Sequence, residues 1–239
     1  MDNPMGSPRG GAAAAILKKL KSLDNPKNAA RMARFGINPN NAYGISIPVL
    51  RKMAMEIGRD HPLALELWES GVHEARILAG MIDDPALVTE PQINRWAEGF
   101  DSWDVCDQAC MNLFRNTKFA YAKCHELCSR EEEFVRRTSF ALMAALAAGD
   151  KKAPDEGFVR FLPLIKKASV DERNFVMKAV NWALRQIGKR NKNLNWKAIA
   201  AAKEIQTLNP NSKSARWIAS DALRELESEA VQKRLAAKS

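Results

Sequence analysis

No run of about 18 consecutive apolar residues occurs in this 239-residue chain, so no membrane span is expected. The apolar stretch Gly11 to Leu17 is too short and too alanine-rich for a secretory signal core, and no cleavage pattern follows it. Glycine-rich phosphate loops of the GxGxxG or GxxxxGK kind are missing, which argues against nucleotide hydrolysis. There are only three histidines, and His61, His73 and His125 stand in no pattern that suggests a triad or a metal site. Cysteine is scarce too: Cys106/Cys110 and Cys124/Cys128 form two CxxxC pairs rather than the short loop spacings that gather zinc ligands. Inside amphipathic helices such cysteines act as small buried hydrophobes, and reduced thiols agree with an intracellular address. Neither a metal nor a cofactor is expected.

Two-residue alternation of apolar and polar residues is also absent, which removes half-buried strands from consideration. In its place, apolar residues recur at three- and four-residue spacing almost throughout, broken every 12 to 20 residues by Asn, Asp, Pro or Gly. The pattern predicts helices over 12–22, 27–35, 47–59, 61–70, 73–82, 89–99, 103–115, 118–128, 131–148, 155–168, 171–190, 195–206 and 213–226. The chain reads as all-α, a single domain over 12–228 between a flexible N-terminal tail at 1–11 and a basic C-terminal tail at 229–239. Very short links make successive helices antiparallel neighbours, and a long series of such pairs is a solenoid. Phe134-Val135-x-Arg137 recurs as Phe175-Val176-x-Lys178, 41 residues on, a period within the range of HEAT-type repeats.

Positive charge is abundant: 37 Lys and Arg against 28 Asp and Glu, a formal net charge of +9. Between Arg160 and Lys197 there are ten Lys or Arg and only Asp171 and Glu172 as acids, a patch that fits a polyanionic partner. The residues with chemical potential fall on every second helix: Arg76, Trp103 with Asp107, Arg137, Trp182, and Arg216 with Trp217. In a stack of helix pairs every second helix lines one side, so these groups converge on one face.

Trp103 and Asp107 lie four residues apart and share a helix face. Asp104 falls in the first turn of that helix, behind a cap from Asp101 or Ser102, where a carboxylate is favoured. Asp107 has no cation in reach on its own helix. Spacing allows it to be solvated, paired with Arg137 of a neighbouring helix, or catalytic. Arg136 and Arg137 follow Glu132 and Glu133 at four-residue spacing, so they form either surface pairs worth about 0.3–0.5 kcal/mol each or phosphate contacts. Lys178, Trp182, Arg185 and Lys189 make one basic stripe, beside a core stripe of Phe175, Val176, Ala179, Val180, Ala183, Leu184 and Ile187. Trp182 packs under its cationic neighbours or is open to a sugar, a base or a cation. Trp68, Trp96 and Trp196 sit in ordinary apolar stripes and are expected in the core, and Arg216 could extend a phosphate track while Trp217 packs inward. Two indoles, one carboxylate and several cations on one surface suit a substrate that is anionic overall but cationic where it reacts.

Trp-Asp-x-x-Asp at 103–107, Arg-Thr at 137–138 and Lys-Ala-x-x-Trp-x-Leu-Arg at 178–185 resemble motifs of the AlkD-type DNA alkylation repair glycosylases. Tyr43-Gly44-Ile45-Ser46-Ile47-Pro48-Val49-Leu50-Arg51 is similar to that family's Gly-Ile/Val-x-x-Pro-x-x-Arg segment. The resemblance runs from about residue 30 to 226. It implies a HEAT-like α-solenoid curved around duplex DNA and removal of cationic N3- and N7-alkylated purines by hydrolysis of the N-glycosidic bond. It assigns the central roles to Asp107, Trp103, Trp182 and Arg137, with Arg137 on a flanking phosphate. Lys178, Arg185, Lys189, Arg136, Arg76 and Arg216 are candidates to extend the DNA track. It further implies a monomer acting in a prokaryotic cytoplasm, with no lysine nucleophile and so no strand cleavage. The glycine-rich tail and the two cysteine pairs depart from the family. A non-catalytic HEAT-repeat protein that binds unusual DNA structures, and a protein–protein scaffold, are the competing readings.

Overall fold

The computed structural model describes residues 10–237, so the expected tail at 1–11 lies outside the described residues except for Gly10 and Gly11, which open the first helix. Fifteen α-helices are described: α1 Gly10–Ser22, α2 Pro26–Met32, α3 Ile47–Ile57, α4 His61–Glu69, α5 His73–Ile82, α6 Glu90–Glu98, α7 Trp103–Asn112, α8 Ala120–Leu127, α9 Glu133–Gly149, α10 Asp155–Val159, α11 Leu162–Ala168, α12 Asn174–Gly188, α13 Lys192–Leu208, α14 Lys213–Leu226 and α15 Glu229–Ala236. No strand occurs among the described residues, and none of their helices is long and apolar enough to cross a membrane.

Local chemistry sets the helix ends. Asn25, Asp60, Thr89, Asn191, Ser212 and Ser228 each accept a hydrogen bond from the backbone N–H three residues on, satisfying a donor the helix cannot. Proline stands in the first turn of α2, α3, α4, α6 and α11, where its missing N–H costs nothing. The same rule breaks the helix expected over 155–168. Pro163 cannot donate to the turn before it, so α10 stops at Val159 and α11 restarts at Leu162. The expected helix over 27–35 tightens into a 3-10 turn at Ala33–Phe35, and that over 103–115 ends at Asn112, before a second 3-10 turn at Phe114–Asn116. The segment 229–239, expected as a basic tail, instead carries α15, capped by Ser228 and anchored by buried Val231 and Leu235, one turn apart.

The helices stack as the short links require. In one layer α3 packs on α5, α5 on α7, α7 on α9, α9 on α12 and α12 on α14, and these helices are linked through α4, α6, α8, α11 and α13 of the other layer. The repeat Phe134/Phe175 is a physical contact, the two rings stacking at 5.4 Å. Between the layers the core is continuous. Trp68 and Trp96 stack at 4.2 Å within it, with Phe100 edge-on to Trp68. All four cysteines are free and buried, as expected. Trp196 breaks expectation: it is 68 % exposed on α13, where Leu194, Ala198, Ala201 and Ala202 already fill the inward face.

Candidate active site

Neighbours in one layer, α7, α9 and α12 bring their N-terminal halves to one edge of it. There they enclose a cleft of about 310 Å³, lined by Trp103, Asp107, Arg137, Phe175, Lys178, Trp182 and Phe35. Trp103 is the first residue of α7 and Asp107 lies one turn further in. Arg137 is the fifth residue of α9, and Phe175, Lys178 and Trp182 climb successive turns of α12. Three aligned N-termini put partial positive charge at this edge, which favours an anion beside it. The four residues central to the resemblance therefore meet in one place.

Asp107 is 7 % exposed and Arg137 5 %. Arg137 Nε donates to Asp107 Oδ1 at 3.1 Å and Nη2 to Oδ2 at 2.8 Å, a bidentate fork. Its remaining nitrogen, Nη1, donates to the Phe175 carbonyl at 2.6 Å, and the guanidinium carbon sits 5.9 Å from the Trp103 ring centroid. Three of its five N–H groups are thus used. Of the alternatives that spacing left open for Asp107, the structure shows the pair with Arg137, which orients the carboxylate. Burial pushes the Asp107 carboxyl above its ordinary value, and the Arg137 charge and hydrogen bonds pull back only part of the way. Burial opposes the Arg137 charge, but Asp107 outweighs it and the guanidinium is held more firmly protonated.

The surface Glu–Arg pairs expected within α9 do not form. Glu132 pairs with Arg130, Glu133 accepts from the Phe175 N–H, and Arg136 pairs with Asp171 at 3.3 Å. Ser102 is the N-cap residue of α7, as expected, but its hydroxyl accepts from the Asn38 N–H and Asp101 accepts from the Asn38 side chain, so neither side chain bonds the first turn of that helix. On the far side of Asp104, buried His73 approaches its carboxylate at 3.0 Å.

The two indoles stay accessible for a reason visible in their partners. Trp103 Nε1 donates to the Phe35 carbonyl at 3.0 Å, which fixes the ring plane at the cleft edge. Trp182 is partly buried against the core and turns its remaining surface to the cleft. Phe35 arrives on the Ala33–Phe35 turn, and the next residue must be glycine. Gly36 has φ of +73°, and a Cβ there would meet the Phe175 ring at 2.8 Å. Phe35 escaped the sequence reading because a single 3-10 turn carries no periodic signal. Phe175 was assigned to the core stripe, yet it is only half buried and forms a cleft wall; its match to Phe134 was the available clue.

The expected DNA track divides. Lys178 is exposed in the cleft and has no ion-pair partner among the described residues. Arg185 and Lys189 do not face the cleft: both bind Glu225, at 2.6 and 2.7 Å, and Arg185 also nears Asp221 at 3.6 Å. Arg136 borders a separate hollow with Cys128 and Lys167. Arg76 lies over the Trp68 ring at 4.9 Å and donates to the Gly99 carbonyl. Arg216 is exposed, its guanidinium bound to the Pro210 carbonyl at 2.9 Å.

The profile of a family described as DNA alkylation repair enzyme matches residues 16–226. Among solved structures, the chain is similar to a protein described as one of a new family related to the HEAT-like repeat DNA glycosylases, with affinity for branched DNA structures. That protein is 19 % identical, with 80 % of this chain and 82 % of that one covered and a TM-score of 0.72. A designed armadillo repeat protein in complex with the peptide (KR)4 is 18 % identical over 79 % of this chain and 89 % of its own, with a TM-score of 0.36, too loose a likeness to bear on the fold. No curated protein matches.

Proposed function

This chain belongs to the DNA alkylation repair enzyme family, and from that premise we propose that it is a monofunctional DNA glycosylase acting on N3-alkyladenine and N7-alkylguanine in duplex DNA. One observation carries the reading: a buried, Arg-oriented carboxylate, Asp107, opens into a cleft between two accessible indoles.

An N3- or N7-alkylated purine already bears positive charge. It departs with the electron pair of the glycosidic bond and becomes neutral, so no general acid has to protonate it. Positive charge then moves to the deoxyribose. Asp107 stabilises that oxocarbenium-like state and orients the water whose oxygen bonds to C1′, the released proton passing to solvent. The Arg137 fork leaves each Asp107 oxygen with lone pairs to spare, and it keeps the carboxylate aimed during the reaction. Trp103 and Trp182 hold the sugar between indole faces and gain as it becomes cationic. Lys178, the unpaired cation of the cleft, takes the flanking phosphate in place of Arg137. The cleft is open and needs no extruded base. With Lys178, the lysine of the cleft, engaged by the phosphate rather than the sugar, the product is an abasic site on an intact strand.

A second reading, a non-catalytic binder of DNA structures, is favoured by the closed Asp107–Arg137 pair, which hides most of the carboxylate. Incubation of the pure protein with methylated duplex DNA separates the two. Free modified purine, with strands that break only after alkaline heating, supports the glycosylase. Binding without release supports the second reading, and strand cleavage without alkali contradicts the mechanism.

A further inference from the structure

Glu172, just before α12, accepts from the Ser214 N–H of α14, and between the two helices Asn181 donates to Asp221 and Arg185 to Glu225. Buried Val176, Ala179, Val180 and Ala183 match buried Ala215, Ile218, Ala219 and Ala222, 39 residues on, within one residue of the 40-residue spacing of the Asn181 and Arg185 bonds. That register puts Trp217 across from Lys178, as Lys178 is one repeat on from Arg137. Ile218 beside it is fully buried, whereas Trp217 is 41 % exposed. Asp107, Arg137, Lys178 and Trp217 thus follow one another across α7, α9, α12 and α14.

Trp217 lies beyond the residues that line the cleft and has no ring partner among the described residues. Lys213 stands one turn before it on α14 and Lys178 is opposite it in this register; neither has an ion-pair partner among the described residues, while Arg216 donates to the Pro210 carbonyl. A flat, open indole near unpaired cations, one helix on from the cleft, is the combination that tracks a nucleic-acid strand and stacks on its bases. Bases inside a duplex offer no free face; an unpaired base does. We propose that Trp217 is a stacking contact for an unpaired nucleobase on the strand leaving the cleft, so that the protein binds DNA with one unpaired base more tightly than fully paired DNA. The proposal rests on the reading that the cleft binds DNA, but not on base excision. Packed helices lie about 8–10 Å apart and bases about 3.4 Å apart, so the contact falls roughly three nucleotides from the one held at Lys178 and Trp182.

The test is fluorescence anisotropy with unmodified DNA, comparing a paired duplex with the same duplex carrying a single unpaired thymine. Wild type is expected to prefer the bulged duplex by about fivefold or more, the low end of base–aromatic stacking. Trp217→Ala should reduce the preference to within about twofold while keeping affinity for paired DNA, and Trp217→Phe should keep most of it. Trp196→Ala, an exposed indole on the other layer, should change nothing. Equal binding of the two duplexes by wild type, or a preference that survives Trp217→Ala, overturns the proposal. Failure of wild type to bind any DNA overturns it together with the DNA reading. A preserved bulge preference without base release leaves it standing and sinks the glycosylase alone.

Discussion

The two halves of α12 carry the same basic stripe and meet opposite fates. In the N-terminal half Lys178 is open to the cleft beside Trp182. At the C-terminal end Arg185, and Lys189 just past the last turn, are held by Glu225, with Asp221 close by. Nothing within α12 distinguishes them; the difference lies in α14, 40 residues away, which offers two carboxylates to the C-terminal end alone. A cation's availability to DNA is thus decided by the neighbouring repeat.

The largest expected effect separates the buried pair at the cleft from the partly exposed pairs of α14. Arg137→Ala leaves Asp107 buried and unpaired and should cost about 3–5 kcal/mol in urea unfolding, whereas Arg185→Ala should cost about 1 kcal/mol or less. Comparable losses would erase the distinction. Next comes DNA affinity. Lys178→Ala should lower the slope of log affinity against log salt by about 1, with no change for Arg185→Ala or Lys189→Ala. Glu225→Gln sharpens the contrast, because freeing two cations should steepen the slope if they reach the strand. An unaltered slope would place the C-terminal half away from DNA altogether.

The smallest effects are in pH. Burial opposes the Glu225 charge, but Lys189 and Arg185 hold its carboxyl below the ordinary value. Its stabilising contribution is therefore complete above the unfolded glutamate value and is lost as pH falls through the lower folded value. Asp107 has the opposite sign. Its folded value is raised, so its contribution is greatest below the unfolded aspartate value and declines as pH rises through the folded one. Base release needs the ionised form, so the acid limb of the rate profile should lie above the ordinary aspartate range. Wild type and Glu225→Gln should share that limb.

How much of this was legible in the sequence follows from the range of each interaction. Helix existence is local, and three- and four-residue spacing with short links foretold the stacked layers. Trp103 and Asp107 announced themselves by spacing on one helix, and Trp182 by standing outside its core stripe. Their meeting with Arg137 required the repeat and the family resemblance. The pair of Arg137 with Asp107 was one of the alternatives that spacing left open, whereas the fate of Arg185 and Lys189 was hidden, because their partner stands 36 to 40 residues away. Trp196 was misplaced because an alanine-rich inward face already fills the space beneath α13, a fact of packing rather than pattern. Helix α15 was overlooked because two apolar residues, Val231 and Leu235, are a faint periodic signal among charges.

The most direct test of the account is single-turnover release of N7-methylguanine and N3-methyladenine from methylated duplex DNA, wild type beside Asp107→Asn, with folding of both checked by thermal unfolding. The account predicts release by wild type and a loss of about tenfold or more in the folded variant, at least ~1.4 kcal/mol of barrier. Equal rates would contradict the assignment of Asp107 as the catalytic carboxylate, and no release by a DNA-bound wild type would contradict catalysis itself.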